Sequence, residues 1–306
     1  MIQLNNKVSE AIAGHKPVVA LESTVIAHGL PQPINLETAQ RMESIVSEGG
    51  ATPATIGIIA GQLIAGLDHE QIQLMAQQEG IKKVSTRDLP LARAQSWNGA
   101  TTVASTAWIA TRAGIKVFAT GGIGGVHRGS LPDVSADLPE LARTPIVVVC
   151  SGAKIVLDLP ATREWLETHA VTVIGYQCDE MPAFYSQRSG LPVDAVADSP
   201  ADVAKIFRAQ RELGIDSALL VTVPVPVDFA VPSDLLQRTL DTSLREAETS
   251  GVGGRELTPF LLSQMAQRSD GATLRANIAL LENNARVATA ISMALFLNSL
   301  SSASLR

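Results

Sequence analysis

Two residues combine a reactive side chain with a place directly behind a strongly apolar run. Lys154 follows PIVVVC (145–150) after the small residues Ser151, Gly152 and Ala153. A lysine buried at such a strand end has a lowered pKa, because its charged form loses solvation. A neutral amine attacks sugar carbons and forms Schiff bases. The plainer alternative is a lysine paired with a carboxylate. Glu22 follows PVVAL (17–21). Partial desolvation there raises a carboxyl pKa and suits it to giving a proton; pairing with a lysine or capping a turn is the structural alternative.

Two further segments could bind ligands. TGGIGGVHRG (120–129) sets four glycines, Gly121, Gly122, Gly124 and Gly125, behind KVFA, with His127 and Arg128 close by. Glycines let backbone N–H groups approach an anion, but the spacing is neither a Rossmann nor a Walker fingerprint, and a tight structural turn explains it equally. PDVSADL places Asp133 and Asp137 four residues apart. On one helix face, or bracketing a helix N-terminus, the two could bind Mg²⁺ or Mn²⁺ with waters; simple capping is the alternative. Beyond these, Lys83 lies in KKVSTRDLP, and NGATTVAST (98–106) sets hydroxyls at a helix start, a natural phosphate seat. Asn277, in RANIALL, precedes or opens the last helix, where an amide could read a base edge, though most asparagines there merely cap. His15, His69 and His169 read as surface or structural; His28 stays open because it lies near Glu22.

The elements that must position these residues alternate. Strands are expected over Pro17–Leu21, Thr55–Ala60, Lys116–Ala119, Pro145–Cys150, Val171–Gly175 and Ser217–Val223. Helices are expected over Glu37–Ser47, His69–Gln78, Val103–Ala113, Ala161–Thr168, Ala201–Leu213, Pro232–Ser250, Pro259–Ser269 and Leu274–Ser299. Apolar runs without strict alternation suit strands buried on both faces. The pattern therefore predicts an α/β chain: one α/β/α layered domain over residues 1–306 with a mostly parallel central sheet. Ligands of such sheets collect beyond the carboxyl ends of the strands, where Glu22 and Lys154 fall.

Composition narrows the function classes. Of 306 residues, 46% are hydrophobic and 18% charged, a globular balance. The net charge of −6 argues against nucleic-acid binding, which depends on basic patches, but leaves room for a local anion site. Cys150 and Cys178 are too few for a disulfide framework and read as reduced intracellular thiols. The N-terminal segment lacks the pattern of a signal peptide. The apolar stretch Val287–Leu297 is too short to span a bilayer. The expectation is a cytoplasmic protein with neither membrane nor nucleic acid as partner.

The segments VALEST, NGATTVAST, KVFATGGIGGVHRG, DVSADL, SGAK, VIGYQ and ELTPFLL, in that order, resemble the pseudouridine-5'-phosphate glycosidase family, including its indigoidine-cluster members, nearly end to end. The resemblance implies cleavage of the C–C bond between uracil and ribose 5-phosphate. It implies Glu22 as proton donor and Lys154 as covalent nucleophile. Lys83, Val103, Ser135, Ala136 and Asp137 would touch the small-molecule substrate, and Asn277 would read uracil. Asp133 would hold one Mn²⁺ per subunit of a homotrimer. Two local departures are HRGSLPDVS, a shorter connection before Asp133, and VTVPVPVDF, where the family often has an asparagine.

The chemistry needs such residues. The leaving atom is carbon, which has no lone pair to protonate, unlike the leaving atoms of ordinary glycosidases. Opening the ribose ring exposes the anomeric carbon to Lys154. Protonation of the uracil ring carbon by Glu22 lets the C–C bond break while an imine forms, and hydrolysis frees the sugar. Rival readings are a Schiff-base aldolase, which would not need Asn277 to read a base, a sugar kinase, for which no nucleotide-binding signature is present, and a non-catalytic binding protein.

Overall fold

The computed structural model describes residues 1–128, 133–253 and 257–303. Its strands are β1 (Gln3–Leu4), β2 (Val18–Glu22), β3 (Thr52–Ile59), β4 (Gln62–Ala65), β5 (Lys82–Val84), β6 (Gly99–Thr101), β7 (Val117–Ala119), β8 (Val147–Cys150), β9 (Thr172–Tyr176), β10 (Ala195–Ala197) and β11 (Leu219–Thr222). All belong to one mixed sheet. Its main path runs β1-β4-β3-β2-β7-β8-β11-β9-β10, with β6 pairing β3 and β5. Only β3–β4 and β3–β6 are antiparallel among these pairs. The expected α/β architecture with a mostly parallel sheet is thus observed, and every strand and helix expected from the sequence is present with its ends shifted by a few residues.

The central strands explain their own composition. Every residue of β2, β7, β8 and β11 is buried, so side chains on both sheet faces must be apolar, which erases the period-2 signal of a half-exposed strand. The helices are α1 (Asn6–Ala13), α2 (Ile34–Glu48), α3 (His69–Gln77), α4 (Leu89–Ala94), α5 (Val103–Arg112), α6 (Asp137–Leu141), α7 (Leu159–Thr168), α8 (Pro200–Glu212), α9 (Ser233–Thr249), α10 (Leu257–Arg268) and α11 (Ala272–Ala303). Several start on sequence signals. Asp68 and Gln71 form a capping box at α3, Ser199 and Asp202 another at α8, and Asp158 accepts the Ala161 amide at α7.

The 32-residue α11 packs on β2, β7 and β8 and against α2 and α8. The apolar stretch 287–297 lies within it, with Ala288 and Ile291 fully buried in the core. Among the described residues no helix is long and apolar enough to cross a membrane. Because β2, β7 and β8 are parallel neighbours, their carboxyl ends open on one edge of the sheet. Glu22, Thr120 and Ser151 therefore arrive side by side.

Candidate active site

A cleft of about 320 Å³ opens at that edge. Glu22, Lys83 and Lys154 line it, as do Val103, Asp133, Ser135, Ala136 and Asp137. A smaller, more apolar cavity adjoins it, lined by Phe184, Leu262, Leu281, Pro259 and Asn277. Glu22, Lys83 and Lys154 line both. Each of Glu22, Lys83, Val103, Asp133, Ser135, Ala136, Asp137, Lys154 and Asn277 thus lines one or other of these adjoining cavities.

Glu22 ends β2 and is 8% exposed. Burial pushes its carboxyl above the ordinary range. The charges of Lys154 and Lys83 and a hydrogen bond from the Thr120 hydroxyl partly oppose this, and Asp137 adds to it. Lys154 is half-buried, not enclosed as its apolar strand predicts, because it lies on the loop beyond β8 and faces the cleft. That loop is laced to the one after β7: the Lys154 amide donates to the Ile123 carbonyl (3.1 Å) and the Ile123 amide to the Gly152 carbonyl (3.1 Å). Gly152 takes φ +78°, and a Cβ there would strike the Pro182 carbonyl.

The glycine-rich loop is packed rather than open. Gly121, Gly122, Gly124 and Gly125 are all buried. A Cβ on Gly124 would collide with Ser135 Oγ and Asp137 Oδ2. Asp137 supplies the reason: its Oδ2 accepts the Gly124 amide (2.8 Å) and its Oδ1 the Ala104 amide (2.9 Å). Both carboxylate oxygens are spent on backbone. Of the two arrangements expected for Asp133 and Asp137, a shared helix face is corrected: α6 begins at Asp137, and Asp133 is exposed on the preceding segment. Among the described residues no three His, Cys, Asp or Glu side chains gather as metal ligands. His127 lines the cleft, whereas Arg128 is exposed and its Nε donates to the Leu157 carbonyl. Gly129, at the end of the glycine-rich segment, and Glu256, which opens ELTPFLL, lie outside the described residues.

NGATTVAST divides sharply. Thr101, Ser105 and Thr106 are fully buried and bond inward, to Ile56, Val84 and Thr101 respectively. Thr102, at the N-cap of α5, lines the cleft, and its Oγ1 is buried without a hydrogen-bond partner among the described residues. At the α5 N-terminus Asp137 takes the Ala104 amide. Asn277 sits inside α11 rather than capping it, 6% exposed. His28 belongs to a π-helical turn, Val25–Gly29, and lines the apolar cavity.

Ser85 and Arg87 also line the cleft, and sequence reasoning passed over them. They lie at a short turn in which the Ser85 amide donates to Asp88 Oδ2 (3.0 Å). The S-x-x-D spacing of STRD was the available signal.

The profile of the family described as "Indigoidine synthase A like protein" matches residues 7–294. The chain is 47% identical over 296 residues to a pseudouridine-5'-phosphate glycosidase of Caldanaerobacter subterraneus subsp. tengcongensis, covering 96% of each. It is 49% identical over 292 residues to a protein of the same name from Herpetosiphon aurantiacus, covering 95% of this chain and 96% of the relative. Among solved structures, an indigoidine synthase A-like protein of Thermotoga maritima superposes with TM-score 0.89 at 39% identity, covering 97% of each chain. The prealnumycin C-glycosynthase AlnA, in complex with ribulose 5-phosphate, superposes with TM-score 0.90 at 37% identity, covering 98% of this chain and 99% of that one. With these curated relatives named pseudouridine-5'-phosphate glycosidases, the chain is an enzyme that belongs to the indigoidine synthase A-like family.

Proposed function

We propose that this enzyme reversibly cleaves the C–C glycosidic bond of pseudouridine 5'-phosphate to give uracil and ribose 5-phosphate. One observation carries the reading: Glu22 and Lys154 line both the polar cleft and the adjoining apolar cavity. A substrate with a charged sugar phosphate at one end and a flat base at the other would place its scissile bond at that junction. The polar arm offers Lys83, Arg87 and the hydroxyls of Thr102 and Ser135 to a phosphorylated sugar. The apolar arm offers Phe184 and Leu281 to a base, with Asn277 to read its edge. The names of the curated relatives and the sugar phosphate bound to AlnA support the same substrate class.

In this reading uracil, losing its N1 proton, expels the ring oxygen from the anomeric carbon; the oxygen takes up a proton, a C=C bond joins that carbon to the uracil ring, and the Lys154 amine adds to the carbon as the displaced electrons return to the ring. Glu22 protonates the uracil ring carbon as the C–C bond breaks, and the nitrogen lone pair forms the imine that water then hydrolyses. Glu22 suits the task because burial keeps its proton into a higher pH range. We assign Mn²⁺ to Asp133. This exposed carboxylate suits an ion that keeps most of its waters, since Asp137 has no oxygen to spare. Such an ion would add positive charge beside the phosphate arm. A cytoplasmic homotrimer completes the proposal.

The test is incubation with pseudouridine 5'-phosphate and chromatographic detection of uracil and ribose 5-phosphate. Turnover of sugar phosphates without release of uracil would instead support the aldolase reading, and tight binding without turnover the non-catalytic one.

A further inference from the structure

We infer that Thr120 is a positioning residue that assigns the acid proton of Glu22 to Oε2. The inference rests on the reading of Glu22 as proton donor and adds to it. In the register of β2 with β7, Leu21 stands opposite Ala119, so Glu22 and Thr120 leave the sheet at one level. The Thr120 hydroxyl donates to Glu22 Oε1. A hydroxyl has one proton to give. While it is given to Oε1, a neutral Glu22 carries its own proton on Oε2. With the roles reversed, the acid proton would point into the protein and be lost to catalysis.

The neighbourhood holds this donor in place. Thr120 is 0% exposed and lines neither arm of the site. Its amide donates to the Val149 carbonyl of β8 (3.0 Å), and its carbonyl accepts from Asn284 Nδ2 (2.8 Å). Asn284, 0% exposed on α11, also reaches Ser151 Oγ (3.2 Å) and so joins the ends of β7 and β8. A β-branched side chain on a backbone fixed at both polar groups has few χ1 states. The groups that face Glu22 besides Thr120 are Lys154, Lys83 and Asp137, and a change at Thr120 leaves all three in place.

Thr120→Val keeps the shape and removes the donor. The expected result is a fall in kcat of roughly 10²-fold, the scale of a misplaced catalytic group, with KM unchanged because Thr120 does not line the site. The hydrogen bond favours the carboxylate form, so its loss raises the Glu22 pKa, and the alkaline limb of the kcat–pH profile moves to higher pH. Thr120→Ser, which restores the hydroxyl, returns kcat and the limb toward wild type. Thr120→Ala removes the donor without adding a methyl against the carboxyl, and carries the same expectation if Thr120→Val does not fold. Wild-type kcat in the folded hydroxyl-free variant, or a loss that serine does not rescue with the alkaline limb unmoved, overturns the inference. Glu22→Gln separates the two levels: wild-type turnover in that variant overturns the role of Glu22 itself, whereas an inactive Glu22→Gln beside a normal Thr120→Val overturns only the role of Thr120.

Discussion

Asp137 accepts the Gly124 amide through Oδ2 at 2.8 Å, at a point where a Cβ on residue 124 would collide with that same oxygen. The glycine and the aspartate therefore require each other. With Oδ1 on the Ala104 amide, one carboxylate ties the loop after β7 to the start of α5. It thereby fixes the wall of the cleft that Ser135 and Val103 share.

Asp137→Ala leaves two amides without acceptors in a buried setting. The expected loss of stability is about 1–3 kcal/mol for each amide left unsatisfied, measured by urea denaturation. Asp137→Asn keeps one oxygen but turns an NH₂ group toward the other amide, so it should recover only part of the loss. Wild-type stability in Asp137→Ala would show that the two amides find other partners.

Glu22→Gln keeps the shape and removes the titrating proton. Turnover should fall by roughly 10²–10⁴-fold, the usual general-acid contribution, with little change in substrate affinity. Stability moves the other way. The folded pKa of Glu22 lies above its ordinary 4.5, chiefly through burial, so folding favours the neutral form. The contribution of Glu22 to stability is fully present below about pH 4.5 and is lost as pH rises through the folded pKa. The glutamine variant has no such decline. Its thermal midpoint should gain on wild type across that window and hold a constant lead above it. A midpoint difference independent of pH would contradict the direction of the shift.

Much of the fold was legible because the central strands are buried on both faces: VVVC and LLVT read as strands without any partner in view. The short pieces were not. β4 pairs with β3 through a turn at Ala60 (φ 46°) and Gly61 (φ 76°), a positive-φ pair of the kind that Asn-Gly usually announces, so Ala-Gly gave no warning. The site residues announced themselves by standing behind strand ends, as Glu22 and Lys154 do. What the sequence concealed was the direction of side chains. Nothing in TTVAST separates Thr102, which faces the cleft, from Thr101, whose hydroxyl donates to the Ile56 carbonyl. Nothing in DVSAD shows that Asp137 is spent on backbone while Asp133 faces outward, because that contrast depends on where α5 and the glycine loop meet.

The proposed Mn²⁺ at Asp133 makes turnover metal-dependent. Exhaustive chelation should abolish turnover and Mn²⁺ should restore it. Asp133→Ala should weaken Mn²⁺ binding in calorimetry of the substrate-free enzyme, a readout independent of activity. Full activity after chelation, with elemental analysis confirming removal, would exclude a required ion.

Lys154 tests the proposed covalent step most directly. It stands on a loop laced to the glycine segment by the Lys154–Ile123 and Ile123–Gly152 hydrogen bonds, both 3.1 Å, so its amine is presented from a fixed backbone. Borohydride added with ribose 5-phosphate should reduce the imine and leave a stable adduct, located by mass spectrometry on the peptide carrying Lys154. Lys154→Ala should lose activity by roughly 10³-fold or more. Lys154→Arg should fail as well, because a guanidinium stays protonated and cannot attack carbon. Lys83 is the informative control. It lines both arms of the site and adds to the positive charge around Glu22, so Lys83→Ala should weaken binding of the sugar phosphate while the borohydride adduct still forms on Lys154. An adduct found on Lys83, or an active Lys154→Ala enzyme, would transfer the nucleophile's role to the neighbouring lysine.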